Sequence, residues 1–268
     1  MIYLLDTFIA FILQHVLAYR RRVIESNLRS ALDYQTARKW KADMKAYYLY
    51  MAKVFRQIIA GPTSTLLQKR MYLVPHPGLN TWLAEGKSVL ITFGHCGNWE
   101  WAGSYLGMQY PDQVCALYKK IKSGYVDRLM YNRRLTQVNY LIEIGQIGEL
   151  LRLMKRKPVL VLMLADQNPG SDQGIIWAPF FGRDTAFVNG PESLALRYQL
   201  PVVYMQIQAK ANGLYELSCL PVYDGTEKVE PSEITRRFAS LLENNIRNNR
   251  VEWLWSHRRW KRSRGQGA

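Results

Sequence analysis

The sequence predicts an α/β fold, with a mixed central sheet flanked by helices and, ahead of it, an N-terminal hydrophobic anchor helix and a helical N-terminal region. Three observations point there. Short apolar runs rich in β-branched residues recur from Ser88 onward, amphipathic stretches of helical period separate them, and residues 1–19 are nearly all apolar.

Taken in order, MIYLLDTFIAFILQHVLAY runs straight into Arg20-Arg21-Arg22. The segment has about the length that crosses a hydrocarbon core, although Asp6 is costly at depth in lipid. It is read as a membrane anchor or interfacial helix. Three arginines after the apolar run, rather than before it, argue against a cleaved leader and hold the remainder of the chain on the cytoplasmic side. From Arg20 to about Leu67 the chain reads as helical, with Val23, Leu28, Leu32, Tyr47, Met51 and Val54 on its apolar positions and a break at Gly61-Pro62. Strands are expected at Ser88 to Phe93, Val114 to Tyr118, Pro158 to Leu164 and Pro201 to Gln208, and Leu214 to Val222 alternates like an edge or antiparallel strand. Helices are expected at Trp99 to Met108, Tyr125 to Val138, Ile147 to Lys155, Pro191 to Tyr198 and Pro231 to Asn249. A chain of 268 residues suits one sizeable core, so residues 20–268 are taken as a single domain.

The 36 Lys and Arg against 21 Asp and Glu leave a formal charge of +15, which calls for an anionic partner. The excess is concentrated from Arg20 to Arg56 and from Arg247 to Arg264. Nucleic acid and anionic membrane both fit such clusters. The terminal Trp253-Leu254-Trp255-Ser256-His257-Arg258-Arg259-Trp260-Lys261 interleaves rings and cations, as a membrane interface or a single strand would favour. The apolar N-terminus decides for an anionic membrane, with no nucleic acid expected. Cys96, Cys115 and Cys219 match no zinc or disulfide framework and the four histidines are scattered, so neither a metal nor another cofactor is expected.

The chemistry is expected where the run Val89-Leu90-Ile91-Thr92-Phe93 delivers the chain to Gly94-His95-Cys96-Gly97-Asn98-Trp99-Glu100, because sites in α/β sheets form beyond strand ends. Asn98 is a good N-cap, which puts Glu100 in the first turn of the next helix, where the macrodipole favours a carboxylate. From there Glu100 can fold back on His95 and fix its tautomer, as a histidine base requires. A substrate hydroxyl activated this way attacks by itself, with no serine or cysteine nucleophile. Cys96, next to His95 on an extended chain, should point the other way.

The block Gly86 to Glu100 resembles the H-x4-E motif of the lipid A biosynthesis late (lauroyl/myristoyl) acyltransferases, a branch of the lysophospholipid acyltransferase superfamily. Further blocks agree in order: Tyr19-Arg20-Arg21-Arg22-Val23 with Asn27-Leu28, Ala165-Asp166-Gln167, Phe180-Phe181-Gly182 with Gly190, and Trp255 to Lys261. The resemblance implies an inner-membrane enzyme with its catalytic domain on the cytoplasmic face. It would take an acyl chain from acyl carrier protein, or from acyl-coenzyme A, and esterify a hydroxyl of a lipid A precursor, with His95 as base and Glu100 as its partner. Other membrane lipids as acceptors, or a basic binding protein without catalysis, are the alternatives. The resemblance also places an arginine near the site, Arg134 or Arg133, to bind phosphate or steady the oxyanion. Asp166 positions substrate, holds Arg134 or shapes a turn. Phe180-Phe181 reads as a loop lining the acyl pocket. Gly190 opens a helix start suited to an anion, and Asn98 completes the substrate-binding or oxyanion set.

Overall fold

The computed structural model describes residues 2–120, 123–135, 138–171, 174–210 and 213–264. At its centre lies a seven-stranded mixed sheet in the order β1-β9-β8-β2-β5-β3-β4. These strands are β1 (Met71–Leu73), β2 (Val89–Phe93), β3 (Val114–Tyr118), β4 (Tyr140–Glu143), β5 (Leu160–Leu164), β8 (Val202–Ala209) and β9 (Tyr215–Tyr223). Five of them, β8, β2, β5, β3 and β4, run parallel. β9 turns back antiparallel to β8 and carries β1 parallel on its far side. The alternating pattern of β9 thus marks an antiparallel strand, but not an edge, since three-residue β1 covers it. β1 and β4 are too short and too ordinary in composition to be read from sequence.

β2 is buried along its whole length and β5 nearly so, as expected of strands covered on both faces, which is why they read as unbroken apolar runs. Alternation along β2 divides the core. Leu90 faces one layer together with Val161, Met163, Val202 and Tyr204. Val89, Ile91 and Phe93 face the other, with Leu160, Leu162 and Val203. Helices α4 (Ser64–Arg70), α5 (Pro77–Ala84) and α6 (Trp99–Gln109) cover the second face. The first is covered by α2 (Arg21–Ala31), α3 (Ala37–Ala60), α8 (Ile147–Arg156), α9 (Gly190–Tyr198) and α10 (Glu233–Asn248). α10 turns Ile234, Phe238, Leu242 and Ile246 inward, each contributing ~1.5–3 kcal/mol by burial. Its first turn is capped from a distance, the buried Glu192 carboxylate accepting from Ser232 N at 2.6 Å and Thr235 N at 2.9 Å.

The helical stretch expected from Arg20 to Leu67 is three helices, broken by an extended Leu32 ahead of α3 and by Gly61 ahead of α4. The helix expected over Tyr125 to Val138 is α7 (Gly124–Leu135); residues 136 and 137 lie outside the described residues. A larger correction concerns Pro179-Phe180-Phe181-Gly182. It is not an irregular loop but the tip of a hairpin, β6 (Ile175–Phe180) and β7 (Arg183–Val188), closed by a two-residue turn. Phe181 and Gly182 both have positive φ, 52° and 68°, as a twist-matched hairpin turn requires. A phenylalanine rarely adopts this conformation. Here its N–H donates to Glu243 Oε2 at 2.5 Å, and Arg247 lies 4.9 Å from its ring centre.

The N-terminal segment is corrected as well. It folds as α1 (Ile2–Phe11) and one π-helical turn, Ile12–Val16. Ten helical residues reach about 15 Å at ~1.5 Å each, half a hydrocarbon core, and no helix among the described residues is long and apolar enough to cross a membrane. Asp6 has a partner: it is buried against α3 and accepts from Arg56 Nε at 2.5 Å and Nη2 at 3.0 Å. Arg56→Ala would strand that carboxylate, and an equilibrium denaturation curve should show a loss of about 2–3 kcal/mol, near the low end for a buried pair, because the Arg56 side chain is 24% exposed.

Candidate active site

β2 and β5 are neighbours in parallel register, with Phe93 opposite Leu164. Two residues beyond that pair stand His95 and Asp166, so the register that pairs the strands also brings these two side chains together. His95 Nδ1 is 2.6 Å from Asp166 Oδ1, and the His95 backbone N–H donates to Asp166 Oδ2 at 2.9 Å. That second oxygen also accepts from Trp253 Nε1 at 2.7 Å. Burial would raise the Asp166 carboxyl, but the charge and hydrogen bonds of His95, with Trp253, outweigh it and hold the group well below the usual carboxylate range. Asp166 is 2% exposed and the His95 side chain 13%, so the imidazole reaches the surface from a buried carboxylate.

Two glycines permit this approach. A Cβ on Gly94 would meet Leu242 Cδ1 at 2.5 Å and Asp166 Oδ2 at 3.4 Å. Gly97 has φ +57°, and a Cβ there would lie 2.5 Å from Ile207 Cγ2. The loop is pinned further by Tyr50, whose hydroxyl donates to Gly97 O at 2.7 Å, and by the bond from Gly97 N to Glu252 O at 2.9 Å. Asn98 caps α6 as expected, accepting from Trp101 N at 3.1 Å. It is fully buried, however, and its amide donates to Gln57. Both polar ends of Asn98 are therefore engaged within the protein, at the start of α6.

Glu100 does stand in the first turn of α6, but it does not hold His95. Its carboxylate takes a bidentate pair from Arg134, Nε to Oε2 at 3.0 Å and Nη2 to Oε1. Burial works against the Arg134 charge, and the bonds to Glu100 more than restore it, raising its pKa. The reason is geometric. The side chain of Asp166, not that of Glu100, faces Nδ1 across the strand ends, while Trp99 packs edge-on against the imidazole with ring centres 5.0 Å apart. Arg133 donates instead to Ile58 O at 2.7 Å and ties α7 to the end of α3. Gly190 opens α9 with Met163 of β5 close by, so this helix start lies near the same strand end.

Cys96 is buried, and burial pushes its thiol well up, which leaves no thiolate to compete as nucleophile. The aromatic C-terminal segment is also not a surface strip. Trp253 and Trp255 are buried at 1% and 0%. His257 Nε2 accepts from Asn168 N at 3.0 Å, and Gln167 Nε2 sits 3.3 Å from His95 Nε2. Trp253, Gln167 and His257 were missed as site residues because their signal is purely spatial; Trp253 lies 87 positions from Asp166.

The fold and the site define an α/β domain with a histidine and its buried carboxylate partner at the ends of adjacent parallel strands. Along residues 1–262 the chain matches the family model of the bacterial lipid A biosynthesis acyltransferases, and it belongs to that family. It is accordingly an acyltransferase, and its family acts in lipid A biosynthesis. No curated protein sequence matches the chain.

Asp166→Asn should lower kcat by about 10²–10⁴-fold in a transfer assay, the loss expected when a base keeps its place but not its tautomer. Burial holds His257 down to about 4, below the ordinary value of ~6.5. The unfolded chain therefore binds the extra proton first, and stability should fall as pH drops from about 6.5 toward 4. Thermal midpoints across that window should show it, with a flatter profile for His257→Gln.

Proposed function

We propose that this chain is an O-acyltransferase that moves a fatty acyl group from a thioester, carried by acyl carrier protein or coenzyme A, onto a hydroxyl of a lipid A precursor. The observation that carries the reading is the pairing of His95 Nδ1 with Asp166 at 2.6 Å. With Nδ1–H given to the carboxylate, Nε2 keeps its lone pair and accepts the hydroxyl proton. The freed oxygen attacks the thioester carbonyl and forms a tetrahedral oxyanion. As the C–S bond breaks, the imidazolium returns its proton to the departing thiolate. Gln167 now faces Nε2, so the acceptor hydroxyl takes the place of its amide. Among the described residues Arg134 gives two of its five N–H groups to Glu100, and it is a planar donor suited to the developing oxyanion. In this reading Glu100 aims Arg134.

The acceptor is borne by a bilayer, and the surface supports that. α1 presents Tyr3, Leu4, Phe8 and Phe11 to solvent, and Ile59 at the end of α3 and Tyr125 of α7 are exposed as well. Arg20, Arg21 and Arg22 are exposed just beyond. Such a face suits an interfacial helix on an anionic membrane, with cations at the headgroups, here the cytoplasmic leaflet of the inner membrane. It is also linked to the site: Asp6 of α1 holds Arg56, and the next residue, Gln57, accepts from Asn98 at the start of α6. The basic surface suits an acidic carrier as donor.

Mass spectrometry of lipid A from a deletion strain should show species lacking one acyl chain, restored by the wild-type gene and not by His95→Ala. Unchanged lipid A, or full rescue by the His95→Ala gene, would refute the reading.

A further inference from the structure

Arg259 is 1% exposed, and none of its three side-chain nitrogens has a hydrogen-bond partner among the described residues. A buried guanidinium left this way is costly unless something else compensates its charge. Ring faces do part of this. The guanidinium carbon lies 4.3 Å from the Phe187 ring centre and 5.6 Å from that of Phe180, where the quadrupole of each ring attracts it. Burial lowers its pKa to about 9, so it remains cationic at neutral pH.

The rest of the compensation lies beside it. Phe180 also packs edge-on against Trp253, with centres 5.9 Å apart, and Trp253 donates to Asp166. The Arg259 backbone N–H donates to His257 O, and His257 accepts from Asn168, two residues past Asp166. The Arg259 charge and the Asp166 carboxylate feel one another across this layer of rings. Three of the roughly four acceptor positions of the carboxylate are already used, one on Oδ1 by His95 and two on Oδ2 by His95 and Trp253. A guanidinium forked onto both oxygens would compete with the histidine.

We propose that Arg259 is the buried counter-ion of the His95–Asp166 pair, a positioning residue held on ring faces so that its charge keeps Asp166 ionised without taking a carboxylate oxygen from His95. While His95 is neutral, Asp166 is a buried anion, and a fixed cation near it offsets the cost. Among the described residues, the other titratable groups that interact with Asp166 are His257 from the same segment, Cys96 of the loop after β2 and Tyr204 of β8, the last two held neutral because burial pushes both well up; Arg20 from the start of α2 acts on His257.

The role rests on the acyltransferase reading only for its effect on rate, and a test free of substrate separates the two. Thermal midpoints are measured for the full chain, Arg259→Met, Asp166→Asn and the double variant. Arg259→Met should lower the midpoint by about 3 °C or more relative to its effect in the Asp166→Asn background, where no anion is left to compensate. Equal shifts in both backgrounds overturn the proposal. Should Arg259→Met alone fail to fold, the double variant decides: it folds if the charge is there for Asp166, and its failure to fold refutes the idea. Acyl transfer from acyl-coenzyme A or acyl carrier protein to a lipid A precursor in mixed micelles gives the second readout. Arg259→Met should lower kcat about tenfold or more with KM within about twofold, and Arg259→Lys, which keeps the cation, should recover most of it. A folded Arg259→Lys protein as slow as Arg259→Met would show that shape, not charge, matters, and would overturn the proposal. Coupled midpoints in a protein that transfers no acyl group would leave Arg259 in its role and remove the acyltransferase mechanism instead.

Discussion

The site depends on one hydrogen bond, from His95 Nδ1 to a carboxylate that is almost wholly buried. A lone buried carboxylate would give up its charge to escape the desolvation cost. Asp166 keeps it because three groups from distant parts of the chain donate to it, the His95 ring and backbone N–H and the Trp253 indole, and the proposed counter-ion Arg259 adds its charge through space. Each needs the parallel pairing of β2 with β5, which sets the two strand ends level.

That constraint explains the placement of much else. Gly94 has to be glycine because Leu242 and Asp166 occupy the space of a side chain, and Gly97 because Ile207 does. The C-terminal segment closes over the dyad as a wall of buried indoles, Trp253 and Trp255, with Trp260 donating to Thr185 in the hairpin. The hairpin in turn supplies the rings that carry Arg259. A segment that looks like a surface strip of tryptophan and arginine thus forms the inner lining of the site.

α6 supports a second, separate ion pair. Glu100 and Arg134 neutralise one another at 13% and 22% side-chain exposure, close enough to water to exchange a partner when a charged group arrives. The two carboxylates differ in setting: Asp166 is sealed in and bonded to His95, while Glu100 sits nearer the surface and bonds to Arg134. On the same side, the apolar face of α1 is tied to the loop through Asp6, Arg56 and Gln57.

The α/β class, five of the sheet strands, the position of His95 just past a strand, the capping of α6 by Asn98 and the resemblance of the chain to its family are all legible along the sequence. Those features are local: burial on both faces shows as an unbroken apolar run, and a cap shows as a residue type at a helix start. It took the packed fold to show which acid holds the histidine, because Glu100 lies five positions away in sequence while Asp166, 71 positions away, lies opposite His95 in space. The same packing also folded the apolar first residues, read as an anchor or interfacial helix, into a short helix whose carboxylate pairs with Arg56, and made an exposed-looking arginine into a buried charge. Strand register and long-range ion pairs involve partners far apart along the chain, and no spacing within a single segment records them.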